Sequence, residues 1–124
     1  MVNIEELILI DDEPLANKIH SRLIGALNKE LQITTFTDPV EGLDYLKRSH
    51  PETLLLLDIN MPEMDAWDCL NYMKDNDINI PTVILSSSIN PQDKQKASEF
   101  SNVIGFLNKP LTKENIKVLL PCKG

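Results

Sequence analysis

The chain lacks several features that would point to other classes of protein. It has no basic run, and its 12 Lys plus Arg against 19 Asp plus Glu leave a net charge of −7. Autonomous nucleic-acid binding calls for a basic stripe, so that balance argues against it, as does the lack of an aromatic cluster beside basic residues. The two cysteines, Cys69 and Cys122, show neither CxxC spacing nor a neighbouring His cluster, which argues against a zinc site. Free thiols in a reducing cytosol are the plain reading. No apolar stretch is long enough to span a bilayer, and acids appear as early as Glu5-Glu6, so neither a signal peptide nor membrane insertion is expected. The expectation is a cytoplasmic protein. With no repeat, low-complexity stretch or linker, residues 1–124 read as one domain, large enough for a core without disulfides or a structural metal.

What is present is a regular alternation. Apolar runs at Leu7–Ile10, Leu31–Phe36, Leu54–Leu57, Thr82–Leu85 and Val103–Leu107 read as strands. The third is four leucines ending on Asp58 and followed by Ile59-Asn60-Met61-Pro62, the pattern of a strand buried on both faces. Helical segments lie between the runs. The first places Leu15, Ile19, Leu23 and Leu27 on one stripe, and the second repeats Val40, Leu43 and Leu46. Helix starts are marked by Asp38-Pro39, by Asp65 with Asp68, by Asn90-Pro91 and by Thr112, while Ile116, Leu119 and Leu120 mark the fifth helix. Five strands alternating with five helices imply a parallel sheet covered on both faces. Right-handed crossovers and doubly wound order then give a flavodoxin-like (βα)5 fold with strand order 2-1-3-4-5.

That order carries the functional reading. The first and third strands become neighbours roughly 5 Å apart, so Asp11, Asp12 and Asp58 converge at the carboxyl edge, where such sheets bind ligands. Three carboxylates in one pocket repel one another unless one is protonated or a cation is present. Hard oxygen donors with room for water suit Mg2+. Ser86, after the fourth strand, and Lys109, after the fifth, add a hydroxyl and an ammonium to the same rim. Carboxylates, cation, hydroxyl and lysine together fit phosphoryl transfer to an aspartate.

These motifs, taken in order, resemble the receiver domain of two-component response regulators: Asp11-Asp12, Asp58 with Asn60-Met61-Pro62, Ser86, Phe106, and Lys109-Pro110. The resemblance runs from Ile4 to Leu120. It implies that Asp58 is the phosphoacceptor, taking its phosphoryl group from a histidine kinase or a histidine phosphotransfer protein. It implies Mg2+ held by Asp12, Asp58 and the main-chain carbonyl of Asn60, with Asp11 contributing directly or through water. Lys109 resembles the lysine partner of the acceptor, and its bond to Pro110 is one that similar receivers hold in cis. Ser86 and Phe106 resemble the switch pair that communicates with the face of the fourth helix, fifth strand and fifth helix. Asn60 and Ser88 stand where similar receivers tune the lifetime of the phosphoaspartate.

The sequence also departs from the family pattern. Ala66 stands where Gly is common, and a methyl group disfavours positive φ. Ser86 replaces the commoner Thr, Ser87 stands where Ala is frequent, and Phe106 replaces Tyr. Trp67 reads as a partly exposed helix residue near the site, and His20 and His50 as surface residues.

The resulting expectation is a stand-alone receiver with no output domain, a monomer or weak homodimer that signals to a protein effector. It would catalyse nothing beyond its own phosphotransfer and slow dephosphorylation. One alternative is a phosphorylation-independent adaptor on the same fold. A small-substrate phosphohydrolase is a weaker rival, because Asn60 occupies the position where those enzymes favour a second acid.

Overall fold

The leucine run becomes the central strand of a five-stranded sheet, buried along its whole length. The computed structural model describes residues 4–48, 52–62, 64–87 and 90–120; Ser88, His50 and Cys122 lie outside them. Along the chain the elements are β1 (Glu6–Ile10), α1 (Pro14–Leu27), β2 (Gln32–Phe36), α2 (Pro39–Leu46) and β3 (Thr53–Asp58). They continue as α3 (Ala66–Asp75), β4 (Thr82–Ser86), α4 (Pro91–Ala97), β5 (Val103–Asn108) and α5 (Lys113–Leu119). All strand pairs are parallel, in the order β2-β1-β3-β4-β5. The flavodoxin-like arrangement expected from the alternation is the one observed.

Successive strand residues point to opposite faces, so β1 and β3 feed two cores at once. Ile8, Ile10, Leu55 and Leu57 pack with Leu43 and Leu46 of α2 and with Cys69, Leu70 and Met73 of α3. Leu7, Leu9, Leu54 and Leu56 pack on the other face with Ile24 of α1 and Ile116 of α5. Each fully buried leucine contributes roughly 1.5–3 kcal/mol from its removal from water, so this central pair anchors the fold. The expected helix starts are present as caps. Asp38 accepts from the Val40 N–H and Asn90 from the Gln92 N–H, while Asp65 with Asp68 and Thr112 with Asn115 close reciprocal capping boxes.

The first helix differs from its expected orientation. Leu15 and Ile19, half of the predicted apolar stripe, are 66% and 50% exposed, and the residues α1 buries are Asn17, His20 and Ile24. These recur at i, i+3 and i+7 and so share a face. Two polar side chains there would cost stability if left unpaired; the Asn17 amide nitrogen and the His20 ring find hydrogen-bond partners on the sheet and the loops around it, while Asn17 Oδ1 has none among the described residues. His20 is therefore a buried residue, contrary to its reading as a surface one. Val40 of α2 is likewise exposed, whereas Leu43 and Leu46 are buried as expected.

Ala66 does not stand at a positive-φ position. It opens α3, fully buried, and the only non-glycine residues with positive φ among those described are Glu52 and Asp77. Its methyl group is core material, and the conformational difficulty expected of it does not arise.

At the amino end of β1, away from the acid cluster, the buried Glu6 is held by neutral donors. Its Oε2 accepts from Tyr45 Oη at 2.6 Å, Thr34 Oγ1 at 2.8 Å and Gln32 Nε2 at 3.1 Å. A carboxylate in this position is tolerable only because donors replace its lost water. Tyr45→Phe removes the shortest of these bonds, and urea unfolding is expected to show a loss of about 1–2 kcal/mol; an unchanged midpoint would mean water substitutes for the hydroxyl. Cys69 has no exposure, and burial, followed by the charges of Asp65 and Asp68, pushes its thiol up to about 12. Only the thiolate reacts readily. Iodoacetamide at pH 8 should therefore leave Cys69 unmodified in the folded protein and alkylate it in guanidinium, as read by peptide mass mapping.

Candidate functional site

The site forms where four strands, β1, β3, β4 and β5, end side by side. Ile10, the last residue of β1, lies beside Leu57 of β3, so the residues that follow them, Asp11 and Asp58, meet at the carboxyl edge. Asp58 is also in register with Leu85 of β4, and Ser86 with Asn108 of β5, which brings Ser86 and Lys109 to the same rim. The Lys109 N–H donates to the Ser86 carbonyl at 2.8 Å, and the Lys109–Pro110 peptide is cis.

One carboxylate oxygen from each of Asp11, Asp12 and Asp58 lies within 4.8 Å of the other two. Asp11 and Asp58 are buried, at 2% and 4% exposure, and Asp12 is half-buried. Lys109 Nζ bridges the buried pair, 2.7 Å from Asp11 Oδ2 and 3.5 Å from Asp58 Oδ1. The ammonium is thus closer to Asp11 than to Asp58, although the sequence alone suggests Asp58 as its partner. Asp11 is held from the other side by the Glu13 N–H, which donates to Oδ1 at 3.0 Å.

The electrostatics follow from this crowding. Burial, reinforced by the charge of Asp11, raises the Asp58 carboxyl to about 6, while Lys109 and the Asn60 N–H act in the opposite direction. Burial alone would lower the Lys109 ammonium; its hydrogen bond to Asp11 and the two nearby negative charges outweigh that and leave it above its ordinary value. With three acids against one ammonium, the pocket keeps an excess of negative charge. An all-oxygen donor set of this kind fits a small hard divalent cation.

The remaining sequence candidates fall around this centre. Ser86 is buried at the end of β4, and Asn60 is exposed, its N–H donating to Asp58 Oδ1 at 3.5 Å. Phe106 is half-buried against the core on the α2–α3 side. Trp67 is half-buried too, stacked on Phe100 with ring centroids 6.4 Å apart and with Lys96 Nζ 5.0 Å from its centre.

Sequence reasoning missed two residues that shape the site from α1. Asn17 Nδ2 donates to the carbonyls of Asp11 at 3.0 Å and Phe36 at 3.1 Å, tying the turn that bears the acids to the end of β2. His20 Nε2 accepts the Leu111 N–H at 3.3 Å, just beyond Lys109 and Pro110. The signal available in the sequence was the i, i+3, i+7 spacing of Asn17, His20 and Ile24, which the leucine stripe overshadowed.

Comparison with known proteins agrees with the fold. The family model described as the response regulator receiver domain matches residues 7–120. The sensor histidine kinase RcsC of Escherichia coli K12 is 27% identical over 114 residues, covering 92% of this chain but 12% of that kinase. An uncharacterized response regulatory protein of Staphylococcus epidermidis is 30% identical over 118 residues, covering 93% of this chain and 45% of that protein. The chain thus spans less than half the length of either relative. Among solved structures, a two-component response regulator from Cytophaga hutchinsonii superposes with a TM-score of 0.83 at 25% identity, over 94% of each chain. The chemotaxis protein CheY4 of Vibrio cholerae shares the fold with a TM-score of 0.79 at 20% identity, over 94% of this chain and 96% of that one. With its acids, lysine and serine gathered at one edge of a 2-1-3-4-5 sheet, the chain belongs to the response regulator receiver domain family.

Proposed function

We propose that Asp58 accepts a phosphoryl group from a phosphohistidine on a histidine kinase or phosphotransfer protein, and that the phosphorylated domain then signals through contact with a protein effector. The observation that carries this reading is the convergence of the Asp11, Asp12 and Asp58 carboxylates within 4.8 Å of one another, with the Lys109 ammonium between Asp11 and Asp58. A carboxylate oxygen of Asp58 attacks phosphorus, the O–P bond forms as the N–P bond breaks, and the imidazole leaves and regains a proton from solvent. With its carboxyl raised only to about 6, Asp58 is mostly ionised at neutral pH, as a nucleophile must be.

Asp12, Asp58 and the Asn60 carbonyl would hold Mg2+, with Asp11 a ligand directly or through water; when bound, the ion neutralises charge developing on the phosphoryl oxygens. Lys109 sits where it can move from Asp58 to a phosphoryl oxygen without leaving Asp11. Ser86, at the end of β4, supplies a hydroxyl to a second oxygen. That movement, followed by repacking of the half-buried Phe106, is the route by which the added charge of about −1.5 to −2 reaches the α4–β5–α5 face. The change is a shift between two states. Asn60, exposed beside the acceptor, is positioned to govern access of hydrolytic water. On this reading the domain works as a self-contained switch whose chemistry is confined to its own phosphorylation and dephosphorylation.

Intact mass after incubation with acetyl phosphate tests the proposal. A single phosphoryl adduct is expected with Mg2+ present, none after chelation and none in Asp58→Asn. An unmodified wild type, with a kinase donor failing as well, would overturn the reading in favour of an adaptor that works without phosphorylation. Lys109→Ala should slow adduct formation roughly tenfold or more, since it removes a preorganised charge from the transition state; a wild-type rate would mean that Lys109 serves only the resting pocket.

A further inference from the structure

The bond between α1 and the segment after β5 joins two parts of the chain 91 residues apart. His20 and Leu111 are 3% and 4% exposed, so neither partner can readily exchange this bond for one to water. Pro110 has no N–H, which makes Leu111 the first backbone donor after Lys109. The lysine is therefore held on both sides: its own N–H is bonded to the Ser86 carbonyl at 2.8 Å, and the N–H two residues later to His20 Nε2 at 3.3 Å. Between these two fixed points the Lys109 side chain runs to Asp11.

Accepting a hydrogen bond at Nε2 requires a neutral imidazole with its proton on Nδ1. Burial favours that form by lowering the ring below its ordinary value; of the charges nearby, Asp11 opposes the shift and Lys109 adds to it. A histidine that only filled space would need no acceptor nitrogen, and leucine would pack there equally well.

We propose that His20 is a positioning residue, whose Nε2 fixes the Lys109-Pro110-Leu111 segment so that the Lys109 ammonium is directed onto Asp11 and Asp58. The role of that lysine in phosphotransfer rests on the function proposed above; its placement by His20 does not. His20→Leu removes the acceptor and leaves a buried N–H unpaired. His20→Gln keeps an acceptor at the same number of bonds from Cα.

The first test reads the lysine itself. Lys109 borders a cleft of about 340 Å³ lined by Glu13, Ile19, His20 and Pro110, among others, so a small acylating reagent can reach it. Acetylation by N-hydroxysuccinimidyl acetate, followed by peptide mass spectrometry, gives the rate at Lys109 relative to the exposed Lys94. Loss of a bond of about 1 kcal/mol should raise the relative rate about fivefold in His20→Leu, with His20→Gln within about twofold of wild type. Wild-type rates in all three proteins would overturn the proposal, as would equal increases in both variants. If the leucine variant does not fold, His20→Asn takes its place, its amide stopping one bond short of the Nε2 position.

The second test uses acetyl phosphate with Mg2+ on the same proteins. Adduct formation should fall about fivefold in His20→Leu, recover in His20→Gln, and fall no further when His20→Leu is added to Lys109→Ala, because residues acting through one group are not additive. An additive loss would show that His20 acts otherwise than through Lys109. Should wild type form no adduct, the proposed function fails while the acetylation rates still decide the role of His20.

Discussion

Two carboxylates, Asp11 and Asp58, are buried side by side and share one ammonium. Much of the structure follows from making that arrangement tolerable. Two negative charges removed from water raise each other's energy, and burial adds to the cost of each. Lys109 relieves the pair without neutralising it, because Asp12 adds a third carboxylate to the cluster. The remaining negative charge suits the pocket to a small hard cation. Burial and the charge of Asp11 raise the Asp58 carboxyl, and Asp11 is held by both the lysine and the Glu13 N–H.

The sheet makes this possible by holding the strand ends rigid. β1 and β3 are buried on both faces, so a slip in their register would displace two cores at once. Asp11 and Asp58 are therefore as firmly placed as the leucines behind them. The lysine is a different case, because it lies on a connection, beyond the last residue of β5, and a connection needs its own restraints. Asn17 and His20 meet that need from α1: one ties the turn bearing the acids, the other the segment bearing the lysine. The polar buried face of the helix is thus part of how the site is built, and its exposed leucine and isoleucine border the cleft beside Lys109.

How much of this was legible depended on whether the cause was local. Strand and helix limits were readable because apolar runs, proline at the first helical position and capping acids act over a few residues. The meeting of Asp11, Asp12 and Asp58 was readable one step later, since alternation implies strand order and strand order implies which ends are neighbours. The orientation of α1 was not. Leu15, Ile19, Leu23 and Leu27 form a persuasive stripe, while Asn17 and His20 look like solvent residues until the carbonyls and the N–H that pair with them are in place. The preference of Lys109 for Asp11 was hidden for the same reason, because it depends on the path of a loop rather than on any spacing.

The sequence by itself determined the elements, their parallel order and the convergence of acids, serine and lysine on one edge. Hydrophobic periodicity and end signals are local, and right-handed crossovers leave few ways to assemble them. Tertiary structure alone decided which face of α1 turns inward, which carboxylate the lysine grips and that His20 is an interior residue. A buried polar group is stable only beside its partner, and those partners lie up to 98 residues away. No pattern within one helix can announce them.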